Sequence, residues 1–288
     1  MTWIILTFLA ITSRAVGSVM GKLITNHLVA SPATQATLAN AMSVVFVLTT
    51  APFFGGLSFA GMSSVWAVAL TMMLCEALGN ILYFKGQQLL DVGATQIAFS
   101  SILIWGSVLS VIFLHGNFSW VQASGIGLLL GAIILAQYRQ GSRHLNSGVI
   151  FVMQSAILFA GFQVTSAILA RHISPASYLL LATGAATVVP ATIYPKTVAR
   201  EARAAFVQSW RRIVTILALS SATSILYSLF SYFAYRSAPN RGVVLVLLTA
   251  QVVLAVLLGF VFLKERTFAG RKFLAGGLAF AAAVLIKS

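Results

Sequence analysis

Residues 242–286 constrain the fold of this chain more than any other stretch. Two apolar runs, 243–263 and 268–286, are separated only by the charged turn Lys264-Glu265-Arg266-Thr267. Each run has about the 20 residues that a helix needs to cross the hydrocarbon layer of a membrane. A pair of such helices pairs all of its backbone groups internally, which is the condition for spanning a membrane. We therefore predict a transmembrane helical hairpin here.

The composition of the whole chain also indicates a membrane protein. Of its 288 residues, 59% are hydrophobic and only 8% are charged, far from the averages of soluble domains. Ten apolar runs can be marked, at residues 3–24, 34–54, 65–84, 94–114, 120–138, 148–170, 177–194, 213–235, 243–263 and 268–286. They are too long for strands and show no sustained alternation. We predict an all-α integral membrane protein with ten transmembrane helices.

The hairpin occurs twice, so the chain is predicted to consist of two repeats. Asp91-Val92-Gly93 precedes the first copy, and Asn240-Arg241-Gly242 precedes the second, 149 residues later. Ser31-Pro32-Ala33 before the second run likewise recurs as Ser174-Pro175-Ala176 before the seventh. Because five helices are an odd number, the second copy must enter the membrane from the opposite side, as in secondary transporters. We predict inverted five-helix repeats at 1–138 and 148–288, joined by a linker at 139–147.

The positive charge lies mostly on one side of the predicted bundle. The net charge is +14, from 18 Lys and Arg against 4 Asp and Glu, and most basic residues follow odd-numbered helices. In short loops between apolar runs, such charge fixes orientation and does not indicate nucleic-acid binding. The positive-inside rule predicts cytoplasmic basic loops and both termini outside, in the cell (inner) membrane.

Ten helices in two five-helix halves, with Phe262-Leu263-Lys264-Glu265-Arg266-Thr267 turning into a Gly-rich last helix, resemble the EamA branch of the drug/metabolite transporter superfamily. Glu265 matches the acidic turn residue of that family's repeat, whereas Gly116 and Asn117 stand there in the first copy. The resemblance implies export of metabolites, often amino acids. It also implies a central cavity lined mainly by helices one, three, four, six, eight and nine. Related ten-helix members are usually drawn with cytoplasmic termini, opposite to the orientation that the charge predicts.

Two charged side chains are predicted to lie inside the membrane. Arg14 is about eleven residues, or roughly 16 Å of helical rise, into the first helix. This position costs at least about 2.5–3.5 kcal/mol on the insertion scale, so we expect the side chain to face a wet cavity or a partner. Glu76 is the only carboxylate inside an apolar run. Asn80 and Tyr83 follow it at i+4 and i+7, so the three share one helical stripe.

Several roles for these charges stay open at this level. Arg14 could bind a carboxylate or phosphate through its planar fork, or it could form a structural salt bridge. Glu76 could exchange a coupling proton, bind an amine, or pair with Arg14 to hold the fold. In the second repeat, Gln163 and Ile225 occupy the positions of Arg14 and Glu76, so the predicted cavity is chemically asymmetric. The candidate substrate-binding residues are Arg14, Glu76, Asn80, Tyr83, Gln96, Trp105, Gln163, Tyr227, Tyr232 and Gln251.

Helix five offers a packing signal of its own. Gly127 and Gly131 have the small-xxx-small spacing that membrane helices use for close approach. We expect tight packing on that face.

We predict a secondary transporter of small polar metabolites, an exporter of amino acids or related organic solutes. It would work by alternating access, with one half rocking against the other and protons as the candidate coupling ion. One alternative on the same fold is a transporter of phosphorylated or nucleotide-like anions or lipid headgroups. Another is a membrane accessory protein without transport activity. Metal-ligand spacings, phosphate-binding Gly loops and nucleophile elbows are missing, so we expect no enzyme, cofactor or metal.

Overall fold

A computed structural model of the chain describes residues 2–114, 119–137, 146–169, 172–237, 244, 247–248, 250–265 and 268–287. Throughout this part the chain forms helices, turns and short connections, and it forms no strand. The helices are α1 (Thr2–His27), α2 (Pro32–Thr50), α3 (Trp66–Leu89), α4 (Val92–Phe99), α5 (Ile102–Leu114), α6 (Trp120–Gln137), α7 (Ser147–Leu169), α8 (Pro175–Ile193), α9 (Pro195–Ser237), α10 (Gln251–Phe262) and α11 (Ala269–Lys287).

Most of these helices have the length and composition of membrane spans. Eight segments of the described residues are long and apolar enough to cross a membrane: Thr2–His27, Pro32–Phe54, Trp66–Leu89, Val92–Leu109, Ser147–Ser166, Pro175–Ile193, Ser209–Ala234 and Ala269–Ile286. Two shorter apolar helices are Trp120–Ala136 and Gln251–Phe262. The predicted all-α membrane class is confirmed, while the count of ten spans stays a prediction.

The recurring Ser-Pro-Ala motif is a helix start in both places. Ser31 and Ser174 have extended backbones and precede the first residues of α2 and α8. Each serine hydroxyl accepts a hydrogen bond from the backbone N–H three residues on, at Thr34 and Ser177. Proline fits the first helical position because its missing N–H would have no partner in the helix anyway.

The fourth predicted span is not one continuous helix. α4 ends at Phe99 and α5 begins at Ile102, so Ser100 and Ser101 form a turn in its middle. Serine hydroxyls compete for backbone carbonyls, and Ser100 Oγ donates to the Ile97 carbonyl at 2.5 Å. Hydrophobic periodicity carries no signal of such a local competition.

The same turn recurs 149 residues later. The Ser101 N–H donates to the Ala98 carbonyl at 3.2 Å, and the Ala250 N–H donates to the Leu247 carbonyl at 2.9 Å. α10 begins at Gln251, directly after the second turn. The two predicted repeats therefore have a turn at equivalent positions.

α9 begins far ahead of the predicted eighth span, which starts at residue 213. Its first part, residues 195–208, is a helical arm, and the backbone leaves helical geometry at Ser209 (φ −157°, ψ 48°). Beyond this kink, Ser209–Ala234 is long and apolar enough to span a membrane. The arm contains four Ala and two Arg, which have high helix propensity, so a polar stretch of this length is helical.

Contacts along α3 fix the relative directions of three helices. Near the end of α1, Lys22 Nζ donates to the Leu90 carbonyl at 2.6 Å, so α1 and α3 run parallel. Gly161 lies against Cys75, and Gly148 lies against Leu90, so α7 runs antiparallel to α3. The first helix of one predicted repeat therefore points opposite to the first helix of the other.

The tight contact of α6 uses a different glycine from the predicted pair. A Cβ added at Gly125 would lie 2.9 Å from a side-chain atom of Ile286 and 3.0 Å from the Ala282 carbonyl oxygen, both in α11. Gly127 and Gly131 are exposed, and no described residue lies within 4 Å of an added Cβ at either position. The expectation of packing at Gly127 and Gly131 is wrong, because α6 turns the face of Gly125 toward its neighbour.

Candidate functional site

Arg14 lies in the middle of α1 between two aromatic rings. Its Cζ lies 5.7 Å from the ring centroid of Phe99 and 5.3 Å from that of Tyr227. Both distances fall within the range in which an aromatic face attracts a cation, and the attraction grows when the cation loses its water. Phe99 comes from α4 and Tyr227 from α9, so each half of the chain supplies one ring.

The Glu76 carboxylate is held at one oxygen and unpartnered at the other. Asn80 Nδ2 donates to Glu76 Oε1 at 3.0 Å and to the Glu76 carbonyl at 2.9 Å. Glu76 Oε2 is buried and has no hydrogen-bond partner among the described residues. A buried polar atom without a partner costs about 1–3 kcal/mol, and more when it is charged. The arrangement therefore leaves one oxygen able to receive a ligand or a proton.

Arg14 and Glu76 do not form an ion pair. A pair requires a nitrogen–oxygen distance within 4.0 Å, and in the part of the chain that the structure describes Lys272 and Asp91 meet this condition. Arg14 is still close enough to attract the Glu76 carboxylate electrostatically. No direct hydrogen bond therefore joins the Arg14 and Glu76 side chains.

Tyr83 connects α3 to α4 beside these charges. Its hydroxyl accepts hydrogen bonds from Gln96 Nε2 at 2.6 Å and from Gln87 Nε2 at 3.4 Å. The amide oxygens of Gln87 and Gln96 are buried without a partner among the described residues. The Tyr83 ring meets Phe99 edge to face, with centroids 5.3 Å apart, and Phe99 in turn faces Arg14.

The helix breaks bring further polar atoms into the interior. Within the described residues, Ser101 Oγ, Trp105 Nε1 and Gln251 Oε1 are buried and have no partner. Ser101 lies in the turn between α4 and α5, and Gln251 follows the equivalent turn before α10. Discontinuous helices of this kind place unpaired groups where membrane transporters bind their substrates.

The first half of this chain can be assigned by comparison with known families. Residues 1–138 match the sequence model of the EamA-like transporter family. We call residues 1–138 the EamA-like half. The resemblance predicted from the sequence is confirmed. The family consists of membrane transporters, which fits the prediction that the chain is not an enzyme.

Other comparisons concern the fold. No curated protein matches the chain. A solved structure titled "Crystal structure of protein" is similar over 98% of this chain and 94% of its own, with 14% identity and a TM-score of 0.65. At this identity the likeness shows a shared fold. With the apolar helices, the EamA-like half supports a multi-pass membrane protein.

The EamA-like half supplies most of the candidate residues. Arg14, Glu76, Asn80, Tyr83, Gln96 and Trp105 all lie in it, and the first five lie close to one another through the contacts given above. Tyr227 joins them from the second half. Gln163 is exposed on α7, and Tyr232 is 40% exposed with its ring against Phe233, at 5.5 Å between centroids. The structure does not bring Gln163 and Tyr232 into the network, by which we mean the contacts that join Arg14, Glu76, Asn80, Tyr83 and Gln96.

Sequence reasoning missed two residues of the EamA-like half. Gln87 continues the stripe of Glu76, Asn80 and Tyr83 along α3, so the helical spacing alone could have revealed it. Phe99 is one of 20 phenylalanines in the chain and carries no such signal.

A surface depression of about 540 Å³ lies away from these groups. It is on the helical arm, which belongs to the second half and not to the EamA-like one, and is lined by Ala199, Arg200, Arg203, Ala204 and Val207. None of the candidate residues lines it, so it is not the predicted central cavity.

Proposed function

We propose that this protein is a secondary transporter of a small polar metabolite, an exporter of amino acids or related organic solutes. It works by alternating access with ten spans in two inverted five-helix repeats. The observation that carries the proposal is Glu76 Oε2, which has no partner among the described residues, near the guanidinium of Arg14, both in helices that could span a membrane. Such groups are costly in a membrane interior and mark substrate or ion pathways.

Matched contacts between the halves support the inverted repeat. Ser31 Oγ donates to Glu201 Oε2 at 2.8 Å, and the Ser58 N–H donates to Ser174 Oγ at 3.2 Å. Position 31 corresponds to 174 and position 58 to 201, at one offset of 143 residues. A two-fold axis generates reciprocal contacts of this kind. The opposite directions of α1 and α7 agree with an axis in the membrane plane.

The unpartnered atoms favour a substrate with both an amine and a carboxylate. Most of them are acceptors: Glu76 Oε2 and the amide oxygens of Gln87, Gln96 and Gln251. A protonated amine brings three donors and no acceptor, so it complements such a set. Arg14 supplies the paired donors that a carboxylate binds. An amino acid carries both groups, whereas a doubly charged phosphate would need more cations than Arg14.

Glu76 also fits a role in coupling. When the amine leaves, an ionised Glu76 would stay buried without a cation in contact, which is unfavourable in a membrane interior. Uptake of a proton removes that charge. Exchange of substrate for a proton at Glu76 would couple export to a proton gradient.

The test starts from purified protein. A thermal-shift panel of amino acids, organic anions and phosphorylated metabolites identifies ligands, because binding to the native state raises its stability. The ligands are then offered to proteoliposomes with an opposed pH gradient. We expect uptake of at least one amino acid driven by the gradient. Binding that weakens when a substrate loses its phosphate would instead favour the anion transporter, and no uptake of any panel member would overturn the proposal.

A further inference from the structure

Four charged side chains meet where α3 passes into α4. We call this group the clasp: Lys22, Asp91, Glu265 and Lys272. Lys272 Nζ lies 2.6 Å from Asp91 Oδ2, and the Lys272 side chain is only 6% exposed. Both Glu265 carboxylate oxygens accept from the Val92 N–H, at 3.1 and 3.0 Å.

Lys22 completes the clasp from α1. Its Nζ donates to the carbonyls of Gln87 and Leu90, each at 2.6 Å. These carbonyls belong to the C-terminal end of α3, where the helix dipole favours a cation. Asp91 Oδ1 accepts from the Ala94 N–H at 2.8 Å and so caps α4. The α3–α4 corner is thus tied to α1 and to the last hairpin.

The clasp lies between the candidate site and the side of the bundle that carries the basic loops. On α1, Lys22 is two helical turns beyond Arg14, about 12 Å at the rise of an α-helix. On the α4 side, Asp91 is little more than one turn ahead of Gln96. Along both helices, the clasp is therefore displaced from the candidate site toward the basic side.

The clasp joins parts of both halves. Lys22 and Asp91 lie in the first half, and Glu265 and Lys272 lie in the last hairpin. An opening that moves this hairpin away from the α3–α4 corner must break the Lys272–Asp91 pair and free the Val92 N–H. Lys272 is 6% exposed and Asp91 29%, and their separation loses a charge-assisted contact, so the closed arrangement is favoured.

The sequence has no equivalent clasp in the other orientation. At the repeat offset of 149 residues, Glu265 corresponds to Gly116 and Lys272 to Ala123. Asp91 corresponds to Asn240, and of the four only Lys22 has a charged equivalent, Arg171. In an inverted repeat these positions face the opposite side of the membrane, and the set there contains no acidic residue. Closure by charged side chains of both signs is therefore expected on the basic side alone.

We propose that the clasp is the gate of the basic side and that it biases the empty carrier toward opening on the other side. This inference rests on the alternating access proposed above and names the residues that set the resting population. The bias follows because an interaction formed in only one state shifts the equilibrium toward that state.

Two single-cysteine reporters test the gate without a known substrate. In a Cys75→Ser background, Ser18→Cys reports from the basic side of Arg14 and Thr7→Cys from the other side. Both parent residues are nearly inaccessible, with exposures of 5% for Ser18 and 1% for Thr7. A water-soluble maleimide reaches both faces of the protein in nanodiscs, so the labelling rates need no knowledge of orientation.

The gate is opened in two ways. Asp91→Asn removes the charge but keeps an oxygen that can cap α4, and Lys272→Met removes the cation but keeps a long side chain. We expect labelling of Ser18→Cys to rise about tenfold in both variants, since loss of a hydrogen bond between charged groups shifts an equilibrium about that far. Labelling of Thr7→Cys should fall. Lys196→Met, which removes an exposed cation on the same side, should change neither rate.

Unchanged labelling of Ser18→Cys in both variants would overturn the gate. A rise at both reporters would also overturn it, because that result indicates a loosened fold and not a shift between two states. Transport by wild-type proteoliposomes separates the two proposals. Transport with unchanged labelling refutes the gate alone, whereas absence of any transport refutes the proposed function.

Discussion

Arg14 is costly to keep inside the membrane. Each of its two aromatic contacts contributes about 2 kcal/mol or more when the cation is desolvated. Insertion of an arginine at this depth costs at least about 2.5–3.5 kcal/mol, and simulations of isolated helices give about 10–17 kcal/mol. The two contacts together are comparable to the lower cost and far below the higher one.

Replacement of Arg14 should separate binding from folding. We expect Arg14→Ala to lower transport by about a hundredfold, because lost charge-assisted bonds cost about 1.5–3 kcal/mol. Arg14→Lys should restore only part, since lysine lacks the planar fork. Gln163→Ala, at the equivalent repeat position but outside the network, is the matched control. Full activity of Arg14→Ala in proteoliposomes would remove Arg14 from the site.

Glu76→Gln isolates the coupling role of the carboxylate. Glutamine keeps the shape and the acceptor for Asn80 but cannot exchange a proton. We expect exchange of substrate across the membrane to persist while uptake driven by the pH gradient is lost. Counterflow and gradient-driven uptake, measured on the same vesicles, distinguish the two. A gradient response as large as that of the wild type would contradict the coupling role.

The polar stripe of α3 was predictable because helical spacing alone puts Glu76, Asn80 and Tyr83 on one face. The relation of Arg14 to Glu76 was not. Whether two charges on different helices touch depends on the rotation and height of each helix, which packing decides. Phe99 could not be predicted for the same reason, because its contacts with Arg14 and Tyr83 depend on how the helices pack.

The turn between α4 and α5 places a polar hydroxyl inside the membrane at a cost in stability. Ser101 Oγ is buried without a partner among the described residues, and alanine at this position removes that cost of about 1–3 kcal/mol. We expect Ser101→Ala to raise the Tm and to lower transport. Ser124→Ala, at an exposed serine of α6, should change neither quantity. A lower Tm with normal transport would show that the turn has only a structural role.

The helical arm is fastened to α2 through Glu201. Glu201 Oε2 accepts from the Ser31 N–H, Ser31 Oγ and Thr34 Oγ1 at 2.8, 2.8 and 2.7 Å. Burial alone would raise the pKa of Glu201, but these hydrogen bonds outweigh it and the pKa lies below its usual value of 4.5. The stabilisation is therefore present above pH 4.5 and is lost as the pH falls through the lower, folded-state pKa.

Glu201→Gln tests this attachment. We expect the variant to have a lower Tm than the wild type at pH 7, because a neutral amide accepts weaker hydrogen bonds than a carboxylate. The difference between the two should shrink below pH 4.5, where the wild-type carboxyl takes up a proton. A difference that is independent of pH would show that the charge of Glu201 does not hold the arm.

Across the whole molecule, the membrane class and the positions of most spans followed from hydrophobic runs, since lipid imposes the same length on every crossing. The break in the fourth run did not follow. It lies at local hydrogen bonding of Ser100, which leaves the hydrophobicity of the run unchanged. The start of α9 at Pro195 could not be predicted. The helix propensity of the stretch favours a helix, whereas its polarity indicates a loop between spans.

Orientation is a property of the entire chain. Lys22, Lys85 and Lys272 lie on the same side as the arm with Lys196 and Arg200, and we propose that this side is cytoplasmic. A reporter that is active only outside the cytoplasm, fused after Ser288, should then be active. The same reporter inserted in the helical arm, residues 195–208, should be inactive. The reverse result would put both termini in the cytoplasm.

The two halves of the sequence are interleaved. α1 has its most extensive contacts with α9, α3 with α7, and α2 with α8, so each of these helices of the first half packs mainly on a helix of the second half. Rigid bodies cut at the predicted linker would separate these contacts during the proposed transport cycle. The proposed cycle therefore requires moving bodies that each contain helices from both halves.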